Sequence, residues 1–359
     1  MSRPAADVLT TIEIENFRCI RSARLELDPR ATGIVGENGS GKTSLLEAIY
    51  FLAHGRSFRA SQREKLLPPQ ADFLRVVGRV ETPRGSLVAG IEYSGQGTRA
   101  NLAGQGVSGI AEIAEILPVQ VIDPGVHRLI EEGSARRRRL LDWGVFHVKH
   151  EFLGVWRRYQ RALQQRNAAL RAGGDEQQIV AWERELTAAG HRVDELRGEY
   201  AAQLLPYFVA IADQLLNAQG ARFTYRRGWA ADHDLGQALV ESRPRDQRLR
   251  TTTVGAHRAD VSFFFEGAPA RDRVSRGQQK LLAAAFVLGQ LTFQSALGAP
   301  PACLMLDDPA AELDVDNLGK LLAAVARIPA QLVITSVHES GLEGVKIGRK
   351  FHVKQGNFL

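Results

Sequence analysis

The feature that most constrains this chain is the order of three short motifs set far apart. Gly36-Glu37-Asn38-Gly39-Ser40-Gly41-Lys42-Thr43 lies near the start. Ser275-Arg276-Gly277-Gln278 and Leu304-Met305-Leu306-Asp307-Asp308 lie near the end, the last running into Glu312-Leu313-Asp314. A phosphate loop and an acidic strand end must converge to share a ligand. The core is therefore expected to draw on both ends of the sequence, with the middle inserted between them.

Each motif has a chemical reason for its residues. Glycines let consecutive backbone N–H groups wrap an anion; Gly36, Gly39 and Gly41 permit that approach, with Glu37, Asn38 and Ser40 completing the loop. Lys42 is placed to reach the β- and γ-phosphates of ATP, and Thr43 to offer its hydroxyl to Mg2+. The loop follows a short apolar strand, Gly33-Ile34-Val35, and opens a helix over residues 42–53. That helix carries Leu45, Leu46, Ile49 and Leu52 on one face and stops at Gly55. Four apolar residues precede Asp307, so its carboxylate is expected at the C-terminal edge of a parallel sheet as a second Mg2+ ligand. Asp308 falls where a general base or water-positioning group is needed, and its short side chain predicts slow hydrolysis. Lys42, Asp307 and Asp308 are thus the catalytic candidates. Taken alone, the aspartate pair also fits a helix cap and a surface residue.

Ser275, Gly277 and Gln278 stand at the start of an amphipathic helix. A hydroxyl, a bare backbone amide and the positive end of a helix together make a second anion site. One chain has no second use for such a site near its own phosphates, whereas a partner copy does. The expectation is a closed homodimer with ATP in both seams, and Asp314 at the same interface. The competing reading is that Ser275 is an ordinary helix cap.

At 359 residues the chain exceeds one ordinary core, so a second lobe is expected. Lys and Arg number 46 against 40 Asp and Glu, with a pI near 9.5, a balance that suits a polyanionic partner. Cys19 and Cys303 stand beside apolar residues and read as small buried side chains in a reducing compartment. The N-terminus lacks the apolar core of a signal peptide, and the longest apolar run, 281–288, is far shorter than the ~18 residues that span a bilayer. A cytoplasmic location without membrane contact is expected.

Alternation predicts a strand over 11–14, a second beginning at Leu25 and Leu27, and antiparallel strands over 74–80 and 87–93 around Pro83-Arg84-Gly85. A further strand over 119–122 ends at Asp123-Pro124-Gly125. From residue 151 the spacing becomes helical. Phe152, Trp156, Tyr159, Leu163 and Leu170 form one stripe; Ile179, Trp182, Leu186, Val193, Leu196 and Tyr200 form another beyond Gly173-Gly174. Two such stripes predict a short antiparallel coiled-coil arm. Arg157, Arg158, Arg161 and Arg166 decorate it and read as a solvated face. Strands at 303–306 and 332–335 and a helix over 317–325 return the chain to the core. The expected division is 1–122 and 251–359 for the core, with an inserted helical lobe over 123–250.

The chain resembles the RecF family of bacterial repair ATPases, relatives of SMC proteins and of ABC-type ATPase heads. The resemblance rests on Glu15-Asn16-Phe17-Arg18, the phosphate loop, Gly55-Arg56-Ser57-Phe58-Arg59, Arg136 to Arg139 with Leu141-Asp142-Trp143-Gly144, His257-Arg258-Ala259-Asp260, the Ser275 motif and Phe351-His352-Val353. It implies an α/β, ABC-type P-loop ATPase head with an antiparallel β section. It further implies weak, DNA-dependent ATPase activity acting as a molecular switch. ATP would drive dimerisation, the dimer would bind duplex DNA beside single-stranded gaps without sequence specificity, and slow hydrolysis would release it. RecR and RecO are the implied partners in loading recombinase during recombinational repair, replication restart and the SOS response. The resemblance also brings Arg18 near the nucleotide and offers Gln120 and His338 as metal-sensing and switch residues, where a strand polar residue and a surface histidine are the alternatives. Ala256 stands where the family usually has proline, and Pro309-Ala310-Ala311 replaces a stretch that more often ends in serine.

Two arginine clusters, Arg136 to Arg139 and Arg243, Arg245, Arg248 and Arg250, are candidates for phosphate contacts; for the first, salt bridges between lobes compete equally. A membrane-transporter ATPase subunit is the alternative function, although Arg276 stands where such subunits usually carry glycine. An SMC-like tether would need a longer coiled coil, and a simple P-loop kinase would have no use for the Ser275 motif.

Overall fold

A computed structural model describes residues 7–174 and 176–359. The chain divides into two compact units: one runs through Val126 and resumes at Ala284–Leu359, the other is His127–Ala283. Residues 251–283, expected with the core, cluster instead with the middle of the chain.

The first unit holds two sheets around one helix. Strands β1 (Val8–Phe17), β2 (Ile20–Glu26), β4 (Phe73–Thr82), β5 (Gly85–Ser94), β6 (Gly97–Leu102) and β7 (Gln105–Gly106) form an antiparallel sheet in the order β2-β1-β4-β5-β6-β7. The second sheet comprises β3 (Ala31–Val35), β8 (Val119–Ile122), β12 (Cys303–Leu306), β13 (Gln331–Ser336), β14 (Arg349–Lys354) and β15 (Asn357–Phe358), in the order β15-β14-β3-β13-β12-β8. From β14 to β8 it is parallel. Helix α1 (Lys42–His54) packs against strands of both sheets. Hence more than one face of it is buried: Ala48, Phe51 and Ala53 are enclosed along with Leu45, Leu46, Ile49 and Leu52. Short helices α2 (Ala111–Ile116) and α10 (Val315–Val325) complete this unit.

Strand β2 ends where the sequence suggested that it begins. Its early residues Arg21, Ser22 and Arg24 face outward on an edge, so they carry no apolar run. Strands β6 and β7 were missed because their residues are mostly exposed and carry no buried apolar alternation.

The second unit is mostly helical. It contains α3 (Arg128–Glu131), α4 (Ser134–Val148), α5 (Phe152–Ala172), α6 (Glu176–Leu216), α7 (Leu235–Leu249) and α8 (Ala270–Arg273), plus a sheet of β9 (Ala221–Arg226), β10 (Asp260–Phe265) and β11 (Ala268–Pro269). Helix α9 (Arg276–Ala296) begins there and continues past the unit boundary. The expected arm is α5 and α6, whose antiparallel course shows in the pairs Arg166–Glu183 and Glu151–Arg192. Gly173 ends α5 in the left-handed conformation (φ 67°), the usual helix stop.

Arg166 corrects the solvated-face expectation. It is fully buried and donates to Glu183 Oε1 (3.0 Å), Asp246 Oδ2 (2.8 Å) and Thr252 Oγ1 (2.9 Å). Arg243 also leaves the list of free cations by pairing with Glu183 and Glu176. Cys19 is exposed, contrary to expectation; Cys303 is buried, and burial pushes its thiol up to about 12.

Candidate nucleotide site

The parallel sheet explains why residues from opposite ends of the chain meet. Strand β13 lies between β3 and β12 and pairs with both, so the three C-terminal ends emerge side by side. The phosphate loop leaves β3, Asp307 leaves β12, and Thr335 stands near the end of β13.

Gly39 and Gly41 adopt left-handed φ values of 76° and 118°, which a side chain would resist. Glu37 and Asn38 are exposed, and Gly36 continues β3 through a bond from its N–H to Ser336 O (3.2 Å). Helix α1 has no side-chain cap and no acidic residue in its first turn, leaving its N-terminal amides and dipole directed at the loop. Ser40 Oγ is buried without a partner among the described residues. Lys42 Nζ is held within the loop by Gly36 O (2.6 Å) and Glu37 O (3.0 Å). Burial lowers the Lys42 pKa, with the charges of Asp308 and Asp307 opposing the effect. An anionic ligand suits every one of these features.

Beside the loop, Thr43 Oγ1 donates to Asp307 Oδ1 at 2.9 Å, and Thr335 Oγ1 donates to the same oxygen at 3.0 Å. Burial raises the Asp307 pKa; the two hydroxyls and the Arg59 guanidinium oppose that rise, while the Asp123 charge adds to it. A buried carboxyl of this kind gains strongly from an adjacent cation. Its oxygen and that of Thr43 are hard donors, suited to Mg2+, which commonly takes one or two carboxylates and completes its shell with phosphate and water. Among the described residues no cluster of three or more His, Cys, Asp or Glu forms a separate metal cage. The donor set therefore fits Mg2+ carried with a nucleotide.

Asp308 adopts a left-handed backbone (φ 46°), and its N–H donates to Thr335 Oγ1 at 2.9 Å. Burial raises its pKa, opposed first by Lys42 and more weakly by exposed His338. Lys42, Thr43, Asp307, Asp308 and His338 thus gather in one neighbourhood. Asp123, Thr335 and Arg59 were not singled out from the sequence as site residues. The turn Asp123-Pro124-Gly125 and the arginine-rich stretch after α1 were the available signals.

Arg18 is anchored on α1, the helix that opens from the loop, and the next residue, Cys19, lies against Ser44 Oγ (3.5 Å). The Arg18 guanidinium binds the fully buried Glu47 carboxylate in a two-pronged pair (2.8 and 2.9 Å) and donates to Lys65 O (2.9 Å). Ser57 also donates to Glu47, and its hydroxyl accepts the N–H groups of Arg59 and Ala60, fixing the stretch that carries Arg59. Gln120 sits inside β8 opposite Leu304, three positions before the strand end that bears Asp307, so its placement is that of a strand residue. Asp314 caps α10 by accepting from Asn317 N (2.9 Å).

In the second unit, Ser275 and Gln278 form a reciprocal capping box. Gln278 N donates to Ser275 Oγ (3.3 Å), and Ser275 N donates to Gln278 Oε1 (2.9 Å). Gly277 faces open space: a Cβ there would meet nothing within 4 Å. Arg276 donates to the buried His127 Nε2 at 3.0 Å. The other motifs quoted for the resemblance stitch this unit together. Arg137 pairs with Asp260 through two bonds (2.8 and 3.0 Å), Arg138 donates to Ala259 O, and Arg197 joins Asp142 to Ala256 O. All four arginines from 136 to 139 are therefore engaged within the unit, Arg136 by pairing with Glu132 and Arg139 by donating to Ala135 O (3.2 Å).

Comparison with known proteins gives the family and the fold. The family described as RecF/RecN/SMC N terminal domain matches residues 8–356. The DNA replication and repair protein RecF of Thioalkalivibrio sulfidiphilus is 36% identical over 354 residues, covering 97% of this chain and 98% of that one. Its counterpart in Pseudomonas putida is 37% identical over 355 residues, covering 97% of each. A solved structure of the recombination mediator protein RecF-ATP in the RecFOR pathway superposes with a TM-score of 0.89 at 24% identity, covering 100% of this chain and 98% of that one. An SMC head bound to the C-winged helix domain of ScpA gives 0.59 at 16% identity, covering 98% of this chain and 96% of that one. The fold is the mixed α/β ATPase head of RecF and SMC proteins, and the chain belongs to the RecF family of DNA replication and repair proteins.

Proposed function

We propose that this chain is an ATP-dependent, DNA-binding recombination mediator in which two copies close over ATP. The observation that carries the proposal is the convergence of Thr43 and Asp307 on one bond, 2.9 Å long across 264 positions, beside a phosphate-binding loop. Lys42 orients the β- and γ-phosphates, the amides at the start of α1 carry their charge, and Thr43 and Asp307 hold Mg2+. The metal, when bound, offsets charge on the transferred phosphoryl group. Asp308 positions the attacking water. Burial keeps that carboxyl reluctant to ionise, in accord with slow turnover.

Two features support the dimer. Gly277 weakens the first turn of α9 relative to a residue with a side chain, yet no neighbour within 4 Å requires its small size. A bare backbone there suits the close approach of a partner's phosphates. Val315, next to the capping Asp314, is 85% exposed, an apolar residue placed as for an interface. Duplex DNA beside a gap is the proposed ligand of the dimer, with RecR and RecO as partners and the cytoplasm as location. The RecF relatives support this reading over a transporter subunit. Gel-shift titration on duplex, gapped and single-stranded DNA, with and without ATP, tests it. Tighter binding to gapped duplex in ATP is expected; binding indifferent to ATP contradicts it.

A further inference from the structure

We infer that the outer face of α5 is the surface that grips the phosphate backbone of duplex DNA. This locates a contact for the DNA-binding reading above and rests on it. Helix α5 has 21 residues, among them five arginines, and neither an aspartate nor a glutamate. Arg166 is buried in its own ion pairs, while Arg157, Arg158, Arg161 and Arg171 are exposed. At about 100° per residue these four fall within an arc of roughly 140°, and from the first to the last they run about 21 Å along the axis. That length matches about six steps of duplex rise at 3.4 Å. Gln164, Gln165 and Ala168, which lie between them on the exposed face, are neutral.

A helix face that merely sits in water usually interleaves both signs of charge. Here most of the acids on α6, which packs against α5, are engaged elsewhere, and exposed Glu185 forms no pair with this face among the described residues. Glu183 holds Arg166 and Arg243, Glu176 holds Arg243, Glu195 holds Arg192, and Glu199 holds Lys149. None of the four exposed arginines has a hydrogen bond or ion pair among the described residues. The result is a one-signed strip with its donors free. Guanidinium groups and glutamine amides commonly make phosphate and sugar contacts, and contacts of that kind read no bases. Binding through such a strip is independent of sequence, as a protein that acts at gaps anywhere requires.

Fluorescence anisotropy of labelled duplex DNA across a salt series tests the assignment on three full-length proteins. These are the native chain, the quadruple variant Arg157→Gln/Arg158→Gln/Arg161→Gln/Arg171→Gln, and the same four positions changed to Lys. The Gln variant is expected to bind at least about tenfold more weakly, with the slope of log K against log salt flattened by up to about 3.6, or 0.9 for each lost phosphate contact. The Lys variant should stay within about threefold of the native chain, because a charged ammonium still meets phosphate. A Gln variant with native affinity and slope overturns the inference and leaves the face to a different partner. Equal losses in the Gln and Lys variants overturn it as well, because charge is then not what the face supplies. If the native chain itself fails to bind duplex DNA, the underlying DNA-binding reading fails instead.

Discussion

Thr43 and Asp307 share a hydrogen bond of 2.9 Å although 264 positions separate them. Neither would lie beside the other unless β3 and β12 flanked β13 in one parallel sheet. That bond joins the phosphate loop to the acidic strand, and the chemistry proposed for the chain follows from it. Asp307→Asn is expected to slow ATP turnover at least about 100-fold, because metal and nucleotide lose their common anchor. Phosphate release measured under saturating ATP checks this.

Lys42 threads between Gly36 O and Glu37 O, a space that suits a narrow ammonium. Arginine keeps the charge but presents a broad planar fork. Lys42→Arg should therefore lower turnover at least about tenfold, read in the same release assay.

Arg59 lies close enough to Asp307 to favour its ionised form, and Ser57 pins the backbone that carries it. An exposed cation so placed can stabilise charge developing on a phosphoryl group. Arg59→Ala is expected to reduce turnover about tenfold while binding of a slowly hydrolysed ATP analogue stays within about threefold, measured by calorimetry.

Much of this arrangement was legible in the sequence because it depends on local pattern. The glycine spacing of the loop, the apolar run before Asp307 and the helical stripes of the arm each declare themselves within a few residues. What was hidden depends on distant partners. Arg166 looked like its exposed neighbours Arg157 and Arg161, and only the fold brings Asp246, 80 positions away, against it. Ser275 looked like a site and also like a cap; within one copy its hydroxyl accepts from Gln278 N, as a cap does, and the proposed trans contact belongs to a second copy. Asp123 and Thr335 influence Asp307 only because their strands end beside its own.

The Arg166 pair gives a stability test. Asp246 is fully buried and accepts from Arg166, Thr253 and Ser242. Asp246→Ala leaves a buried guanidinium short of a counter-charge, an effect worth about 3–5 kcal/mol. Urea unfolding should show that loss, whereas Arg158→Ala, on the exposed face of the same helix, should stay within about 0.5 kcal/mol.

His257 predicts a dependence on pH. Burial lowers its pKa from 6.5 to about 4, and its ring is bound by the Tyr159 hydroxyl (2.7 Å) and Thr252 O (3.0 Å). Between those two pKa values the unfolded chain takes up a proton that the folded chain refuses. Stability is therefore full above about pH 6.5 and declines as pH falls toward 4, by up to about 3 kcal/mol. Urea midpoints at pH 7 and pH 5 should differ accordingly, and His257→Gln should reduce the difference.

Sedimentation equilibrium of the native chain and Ser275→Arg, each with a slowly hydrolysed ATP analogue, bears most directly on whether two copies complete one another's nucleotide pocket. The native chain should move from about 39 kDa to twice that mass, while the variant binds the analogue and stays single. A native chain that remains single with nucleotide bound, or a variant that pairs as readily as the native chain, contradicts that claim.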